Sequence, residues 1–150
     1  MRAVIQRVTR ASVTVEQQIV SQISCGLLIL LGVEPADTGE DIEWLAGKIA
    51  RLRIFADEKG AMNRSIQEAG GDLLVVSQFT LFASTRKGNR PSFPNAAPPD
   101  QATRVYAQFC QKLELETAKK VQRGIFGANM SVELVNDGPV TIWIDTKNRE

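Results

Sequence analysis

Hydrophobic and polar residues alternate with a period of two from the start of the chain. Ala11, Val13 and Val15 are separated by single polar residues, which is typical of a strand with one buried face. The segment from Ile19 to Ile23 is expected to return as its partner. The next segment, from Gly26 to Val33, is apolar throughout and predicts a strand that is covered on both faces.

Two longer segments have helical spacing instead. Thr38 is followed three residues later by Asp41, a capping-box pattern that marks the start of a first helix. Pro98 or Pro99 suits the first turn of a second helix, where the missing N–H costs nothing. The positions expected to be buried on the two helices are Ile42, Leu45, Ala46, Ile49, Leu52, Ala102, Val105, Tyr106, Phe109, Cys110 and Leu113.

The second half of the chain supplies the remaining strands. Leu73 to Leu81 predicts the central strand, and the proline-rich segment from Ala83 to Pro99 predicts a long loop. Two closing strands, Met130 to Val135 and Val140 to Asp145, are expected to be joined by the turn Asn136-Asp137-Gly138-Pro139 as a hairpin. No repeat or linker divides the chain. We therefore expect one α+β domain over residues 1–150, with a largely antiparallel, barrel-like sheet and two main helices.

Histidine is absent from the 150 residues, and its absence removes several kinds of chemistry. No Ser-His-Asp or Cys-His nucleophile and no His-ligated metal can form. The two cysteines, Cys25 and Cys110, adjoin apolar stretches and are expected to be buried, reduced thiols, too few for a structural zinc site. No motif requires a metal or another cofactor, and we expect none.

Net charge does not identify a ligand, whereas hydropathy predicts where the protein is located. Eighteen basic against seventeen acidic residues leave a net charge of +1, which neither favours nor excludes a nucleic acid partner. The N-terminus has no long apolar segment with a cleavage site, and the longest apolar run, Leu27 to Leu31, is too short to span a bilayer. These features predict a soluble, cytoplasmic protein without a membrane segment.

Candidate chemistry begins at the end of the predicted central strand. Ser77, Gln78, Phe79 and Thr80 follow apolar residues, so a rigid strand would present them at an open edge. Their hydroxyls and amide could orient a substrate, and a backbone N–H there could stabilise an oxyanion. Hydrogen-bonded polar residues in a sheet are the alternative. One shared pocket requires the strand to bend or end among these residues, because alternation would otherwise place them on two faces.

Two further segments are candidate sites. Gly138-Pro139 is unexpected in a hairpin because proline removes a donor where pairing should resume, and a cis bond would direct two carbonyl oxygens the same way. A plain turn is the alternative. Arg86, Lys87 and Arg90 place three cations within five residues of a loop, which suits phosphate contacts. Solvated loop charge would explain them equally well.

Together these segments resemble the D-aminoacyl-tRNA deacylases of the bacterial and eukaryotic type. The resemblance covers essentially the whole chain. Its most specific motifs are Ser77-Gln78-Phe79-Thr80-Leu81 and Asn136-Asp137-Gly138-Pro139-Val140-Thr141, and it extends to the segments from Met1 to Val8 and from Gly124 to Met130. Either motif alone could arise by chance, whereas both together, in this order, are specific.

The resemblance implies a homodimer in which Gly138-Pro139 of one subunit, joined by a cis bond, enters the active site of the other. Met130 is assigned to the same substrate gate. An L side chain would collide with this turn while a D side chain points away, so L-aminoacyl-tRNA is rejected. Glycine has no side chain to collide, and we expect glycyl-tRNA to be cleaved. The partner is the aminoacylated 3′ end of tRNA, with Arg86, Lys87 and Arg90 as expected contacts.

Two routes for breaking the ester stay open. A Thr80 nucleophile would need a base, and no histidine exists. The route that we favour uses the free 2′-hydroxyl of the terminal adenosine, with an oxyanion hole from the backbone N–H groups around Gln78 and Phe79. Two other functions fit the same residues: a non-catalytic module that binds RNA or DNA ends, and a threonine-dependent amidohydrolase.

Overall fold

Eight strands, three α-helices and one 3-10 helix form the fold in the computed structural model, which describes residues 1–150. The strands are β1 (Arg2–Val15), β2 (Gln18–Ile23), β3 (Gly26–Gly32), β4 (Phe55–Ala56), β5 (Met62–Arg64), β6 (Asp72–Ser77), β7 (Val121–Arg123) and β8 (Ser131–Asp145). The helices are α1 (Gly39–Arg51), α2 (Ile66–Ala69), α3 (Pro99–Thr117) and the 3-10 helix (Phe79–Phe82). This content confirms the α+β class. None of the helices combines the length and apolar character that a bilayer crossing requires.

One mixed sheet of six strands organises the molecule. Its order is β2-β1-β3-β6-β7, and β8 pairs with β1. The pairs that β1 makes with β2, β3 and β8 are antiparallel, as expected, whereas β3–β6 and β6–β7 are parallel. Because β2 also contacts β6 and β7, the sheet curls into a nearly closed barrel. The short strands β4 and β5 form a separate hairpin.

Helices α1 and α3 cover one face of the sheet and enclose the main core. Leu27 and Ile29 of β3 belong to this core, while Leu28 belongs to a smaller core on the other face. The strand β3 is therefore covered on both faces, as its apolar sequence predicts. The helix positions predicted to be buried are buried, except that Leu52 is half-buried.

Both main helices begin where the sequence places them. The Thr38 N–H donates to Oδ2 of Asp41 at 2.9 Å, as the capping box predicts, and α3 begins at Pro99. Asp41 is buried and also accepts from Nζ of Lys147 at 2.7 Å. Burial by itself would raise the pKa of Asp41, but hydrogen bonds from Lys147, the Thr38 N–H and Thr146 outweigh it. The pKa of Asp41 therefore lies well below its usual range.

The central strand is shorter than the sequence predicts. β6 ends at Ser77, before the expected end at Leu81, and the chain continues as the 3-10 helix. The N–H of Gln78 still donates to the carbonyl oxygen of Leu31 at 2.7 Å, but β3 ends at the next residue and offers no further partner. The apolar pattern continues past the strand because Phe82 is buried, so the pattern does not mark the strand end.

The hairpin predicted at Gly138-Pro139 is wrong, because β8 is one strand of 15 residues. Both of its halves pair with β1. Between the residues opposite Gln6 and Val8, the four residues 137–140 of β8 face a single residue of β1. A 14-residue β1 supplies a partner for both halves, and no turn signal in the sequence reveals that. We refer to this feature as the 137–140 bulge.

Both cysteines are free thiols, but their environments differ. Cys110 is buried, as expected, and burial raises the pKa of its thiol to about 11. The expectation of burial is wrong for Cys25, which is exposed because it lies in the bend before β3 rather than in the strand. The buried thiol is thus held in its protonated, unreactive form.

Candidate active site

The end of β6 presents the four predicted site residues at an open edge. Ser77 and Gln78 are half-buried, and Phe79 and Thr80 are exposed. The strand ends among them. A shared pocket requires such an end, because side chains of a continuous strand alternate between its two faces. Ser77, Gln78 and Phe79 accordingly line the same two cavities.

Two adjacent backbone N–H groups at this edge have no hydrogen-bond acceptor within the protein. They belong to Phe79 and Thr80, which open the 3-10 helix, and the first donors of a helix have no intrahelical partner. The N–H of Gln78 is instead bonded to Leu31. The free donors therefore lie one residue further along the chain than the pair named from the sequence. Adjacent free donors of this kind suit a developing oxyanion.

The hydroxyl of Thr80 is held by a neighbouring amide. Nε2 of Gln78 donates to Oγ1 of Thr80. An amide is not a base at neutral pH, and histidine is absent from the sequence. The contact therefore orients Thr80 without activating it as a nucleophile. No group of three or more Cys, Asp and Glu side chains is arranged to hold a metal ion.

Two cavities meet at the strand end. The wider one, of about 240 Å³, is lined by residues 77–79 and by Met130. The narrower one, of about 70 Å³, is lined by residues 77–79 and by Ala102, Tyr106 and Phe126. A ligand whose reacting group lies at the free N–H groups can therefore extend to both sides.

The narrow cavity has an aromatic wall that the sequence did not assign to a site. The rings of Tyr106 and Phe126 lie 5.9 Å apart at an angle of 57°. The Tyr106 hydroxyl donates to the carbonyl oxygen of Val75 at 2.8 Å, and burial raises its pKa above the usual range, so it stays protonated. The sequence shows Tyr106 only as a buried helix position. The sequence signal that could have identified Phe126 is an aromatic residue between two glycines, Gly124 and Gly127.

The predicted phosphate-binding loop extends from this edge. The ring of Phe79 meets that of Phe93 edge-on at 5.0 Å, and 57% of Phe79 is exposed. Between these two aromatics the loop carries Arg86, Lys87 and Arg90, which are exposed and take part in no ion pair. The loop thus carries three cations without ion-pair partners and packs against the site residue Phe79.

The 137–140 bulge lies elsewhere on the same chain. Gly138 and Pro139 are exposed and joined by a cis peptide bond, and Gly138 has a φ of +128°. Arg7 supports the bulge from below: its Nε donates to the carbonyl oxygen of Asp137 at 3.2 Å, and its Nη1 donates to that of Ile54 at 2.6 Å. Sequence reasoning missed Arg7 because its contact in the bulge lies 130 residues further along the chain.

The bulge contacts Arg7 and does not line the cavities at the strand end of its own chain. The bulge faces Arg7, which pairs with Leu27, which pairs with Leu73 near the start of β6. Ser77 is the last residue of β6, and none of residues 137–140 lines either cavity there, although Val132 of the same strand lines the wider one. The chain therefore does not bring Gly138-Pro139 to its own site residues.

Known proteins similar to this chain share one description. The sequence model described as D-Tyr-tRNA(Tyr) deacylase matches residues 4–145. A D-aminoacyl-tRNA deacylase of Flavobacterium johnsoniae is 61% identical over 150 residues, all of both chains. One of Parabacteroides distasonis is 60% identical, again over the full length of both chains. These matches confirm the resemblance that the two sequence motifs indicated.

Solved structures agree with this. A structure named c-Myc DNA Unwinding Element Binding Protein has a TM-score of 0.91 and 43% identity, over 97% of this chain and 98% of that chain. A structure described as a probable eukaryotic D-amino acid tRNA deacylase has a TM-score of 0.81 over 95% and 97% of the two chains. At 17% identity the second match is evidence for the fold alone. On the family match and the full-length relatives, the chain belongs to the D-Tyr-tRNA(Tyr) deacylase family.

Proposed function

We propose that this protein hydrolyses the ester bond of D-aminoacyl-tRNA in the cytoplasm, releasing free tRNA and the D-amino acid. The observation that carries the proposal is the pair of free N–H groups of Phe79 and Thr80 between two cavities. An aminoacyl ester has the matching form, because its carbonyl becomes an oxyanion and is flanked by an amino acid and an adenosine. Membership of the deacylase family supports the same reaction class.

The two cavities divide the substrate between them. The adenine is assigned to the narrow cavity, where the half-buried ring of Phe126 offers a stacking face beside the buried Tyr106. The aminoacyl group is assigned to the wider cavity, beside Met130. This arrangement leaves the ester carbonyl at the strand end, next to the free donors.

The protein supplies position and charge stabilisation rather than a nucleophile. Water adds to the ester carbonyl, the N–H groups of Phe79 and Thr80 stabilise the oxyanion, and the bond to the ribose oxygen breaks. We assign proton transfer to the vicinal 2′-hydroxyl of the terminal adenosine, which accepts a proton from the attacking water as it gives its own to the departing 3′ oxygen. Neither Ser77 nor Thr80 is bonded to a base that could do this. Ser77 and Gln78 then orient the substrate.

A second copy of the chain brings the 137–140 bulge to this site. The bulge of the same chain lines neither cavity at the strand end, and β8 supports an assembly because it pairs with β1 on one side alone. None of the 15 residues of β8 is buried, and the exposed fractions of Trp143 and Val135 are 52% and 38%. A long open edge with large apolar side chains is typical of an interface. We propose a homodimer in which the bulge of each chain enters the wider cavity of the other.

In this dimer the bulge selects the handedness of the amino acid. Gly138-Pro139 lies against the α-carbon, so an L side chain would overlap it and a D side chain would point into free space. Exclusion by backbone depends on the α-carbon and not on the identity of the side chain. Glycyl-tRNA is therefore a second substrate, since glycine has no side chain to exclude.

The loop that packs on Phe79 is proposed to hold the tRNA backbone. Arg86, Lys87 and Arg90 are exposed and unpaired, so each can displace a counterion from a phosphate. We assign them to the phosphates of the nucleotides that precede the terminal adenosine, because the loop lies beside the strand end.

One observation favours a second function, which is binding of nucleic acid without turnover. A structure 43% identical to this chain carries the name of a protein that binds a DNA unwinding element, and the same loop cations would serve DNA. A threonine-dependent amidohydrolase has no comparable support, because the Thr80 hydroxyl is held by an amide.

One assay separates these functions. Purified protein is incubated with D-aminoacyl-tRNA, L-aminoacyl-tRNA, glycyl-tRNA and a small D-aminoacyl methyl ester. Cleavage of the D-aminoacyl and glycyl forms of tRNA, with the L form and the small ester spared, is the expected result. Saturable, salt-dependent binding without cleavage would replace the enzyme with the binding module. Cleavage of the small ester without RNA would restore the amidohydrolase.

A further inference from the structure

A basic surface beside the 137–140 bulge has no part in the function proposed above. Near the end of α1, Lys48, Arg51 and Arg53 line an open concavity together with Trp44 and Leu52. We name these three cations the α1 patch. Residues 48–64 contain five basic residues against two acidic ones, in a chain whose net charge is only +1. This segment therefore has an excess of three positive charges, five minus two.

The protein neutralises the α1 patch only in part. Arg51 forms an ion pair with Glu116 at 3.2 Å, but 70% of the Arg51 side chain is exposed, and exposed pairs contribute little. Lys48 and Arg53 take part in no ion pair. The dipole of α1 accounts for cations in its last turn, whereas Arg53 lies beyond the helix. The patch is thus available to an anionic ligand.

Arg7 joins the α1 patch to the bulge. Its Nη1 donates to the carbonyl oxygen of Ile54, the residue after Arg53, and its Nε donates to that of Asp137 in the bulge. Bulge and patch are therefore fixed relative to each other within one chain. Neither the bulge nor the patch lines the cavities at the Ser77 strand end of that chain.

We propose, resting on the dimer proposed above, that the α1 patch of one protomer binds phosphates of the tRNA whose 3′ end occupies the site of the other protomer. A bulge that enters the partner's cavity carries its own surroundings to the rim of that cavity. The acceptor strand leaving the cavity then meets the α1 patch on one side and the Arg86–Arg90 loop of the protomer that holds the ester on the other. Two protomers thereby bind one acceptor arm.

Charge reversal of the two unpaired cations tests the contact. Lys48→Glu combined with Arg53→Glu is expected to raise KM for full-length D-aminoacyl-tRNA about tenfold or more near physiological salt. The dependence of log KM on log salt becomes shallower by about two, since about 0.9 is lost per phosphate contact. A D-aminoacyl ester of adenosine alone lacks these phosphates, and its cleavage should change less than about twofold. The matched control, Lys48→Arg with Arg53→Lys, keeps both charges and should keep the wild-type KM.

The outcome distinguishes this inference from the function on which it rests. An unchanged KM and salt dependence in the charge-reversed variant, with an active wild-type protein, overturns the tRNA contact and leaves the deacylase intact. A wild-type protein that cleaves no D-aminoacyl-tRNA overturns the deacylase itself. An equal loss on tRNA and on the adenosine ester would also overturn the contact, because damage to the site would then explain both.

Mixed dimers test whether the contact crosses the interface. One protomer is silenced by Ala102→Leu, which fills the narrow cavity, and two affinity tags isolate the mixed species. Charge reversal placed on the silenced protomer is expected to raise KM, because that protomer serves the active site of its partner. The same reversal placed on the active protomer should leave KM unchanged. The opposite pattern would place the contact within one chain and overturn the inference.

Discussion

Arg7 and Asp137 are joined twice, since Nε of Arg7 lies 3.2 Å from the carbonyl oxygen and 3.1 Å from the carboxylate oxygen Oδ2 of Asp137. The Arg7 side chain is only 14% exposed, whereas the bulge above it is exposed. A largely buried, planar guanidinium that also bonds to Ile54 has little freedom to move. The bulge therefore has a fixed support although it projects into solvent.

Loosening this support should relax the selection of handedness. In Arg7→Lys the charge is kept but the fork that reaches both Asp137 and Ile54 is lost. We expect the ratio of kcat/KM for D- over L-aminoacyl-tRNA to fall about tenfold, roughly 1.4 kcal/mol, while kcat for the D substrate changes little. Arg10→Lys, on the same strand but paired with Glu133 at the surface, is the control. An unchanged ratio would mean that the bulge holds its position without Arg7.

The role of Thr80 is decided by removing its hydroxyl. Because Gln78 holds that hydroxyl and no base is bonded to it, Thr80→Ala should keep most of the wild-type rate in single-turnover cleavage of D-aminoacyl-tRNA. A tRNA ending in 2′-deoxyadenosine should instead be cleaved at least about a hundredfold more slowly, in the range of lost general acid–base assistance. A folded but inactive Thr80→Ala protein would return the reaction to a threonine nucleophile.

Filling the narrow cavity should abolish binding of the adenosine. Ala102 lines that cavity, and Ala102→Leu adds three carbons to a space of about 70 Å³. We expect kcat/KM to fall by about a hundredfold or more, because the adenine loses both its space and its stacking contact. Gln108→Leu, on the exposed side of the same helix, is the control for helix stability. Equal activity of the two variants would remove the adenosine from this cavity.

The buried carboxylate of Asp41 should give a pH-dependent contribution to stability. Its pKa is lowered from the ordinary value of 3.8, so its contribution is complete above that value and is lost as the pH falls toward the lower pKa of the folded state. In Asp41→Asn, the free energy of unfolding in urea should fall by about 2 kcal/mol at pH 7, since charge-assisted hydrogen bonds are lost. The difference from the wild-type protein should narrow below pH 3.8. Glu43→Gln, exposed on the same helix, controls for the loss of one charge. A difference that is constant with pH would contradict the argument.

Local patterns were sufficient for much of the fold. The capping box at Thr38, the proline at the start of α3 and the apolar sequence of β3 all depend on neighbouring residues, and each occurs where predicted. The end of β6 depends on where β3 stops, and the continuity of β8 depends on the length of β1. Both features depend on the neighbouring strand, so the pattern within one segment cannot predict them. The short β7 was missed for the same reason, because it is a strand by virtue of its parallel pairing with β6.

The candidate site divides in the same way. Residues 77–80 and Met130 lie within motifs that resemble a family, and the sequence could name them before any contact was known. The free donors of Phe79 and Thr80 appear only once the bond between Gln78 and Leu31 is seen. The aromatic wall of Tyr106 and Phe126 is assembled from segments that have ordinary structural roles when considered alone.

The distance between the 137–140 bulge and its own strand end has a consequence for how such an enzyme behaves on dilution. In the proposed dimer, the active site of each chain contains every group that breaks the ester, but the bulge that selects the handedness of the amino acid comes from the partner. Separated protomers would accept both mirror forms of the amino acid and so discharge correctly loaded tRNA. Selection of the D form then requires the dimer. The dissociation constant of the dimer therefore sets the concentration below which the enzyme also hydrolyses L-aminoacyl-tRNA.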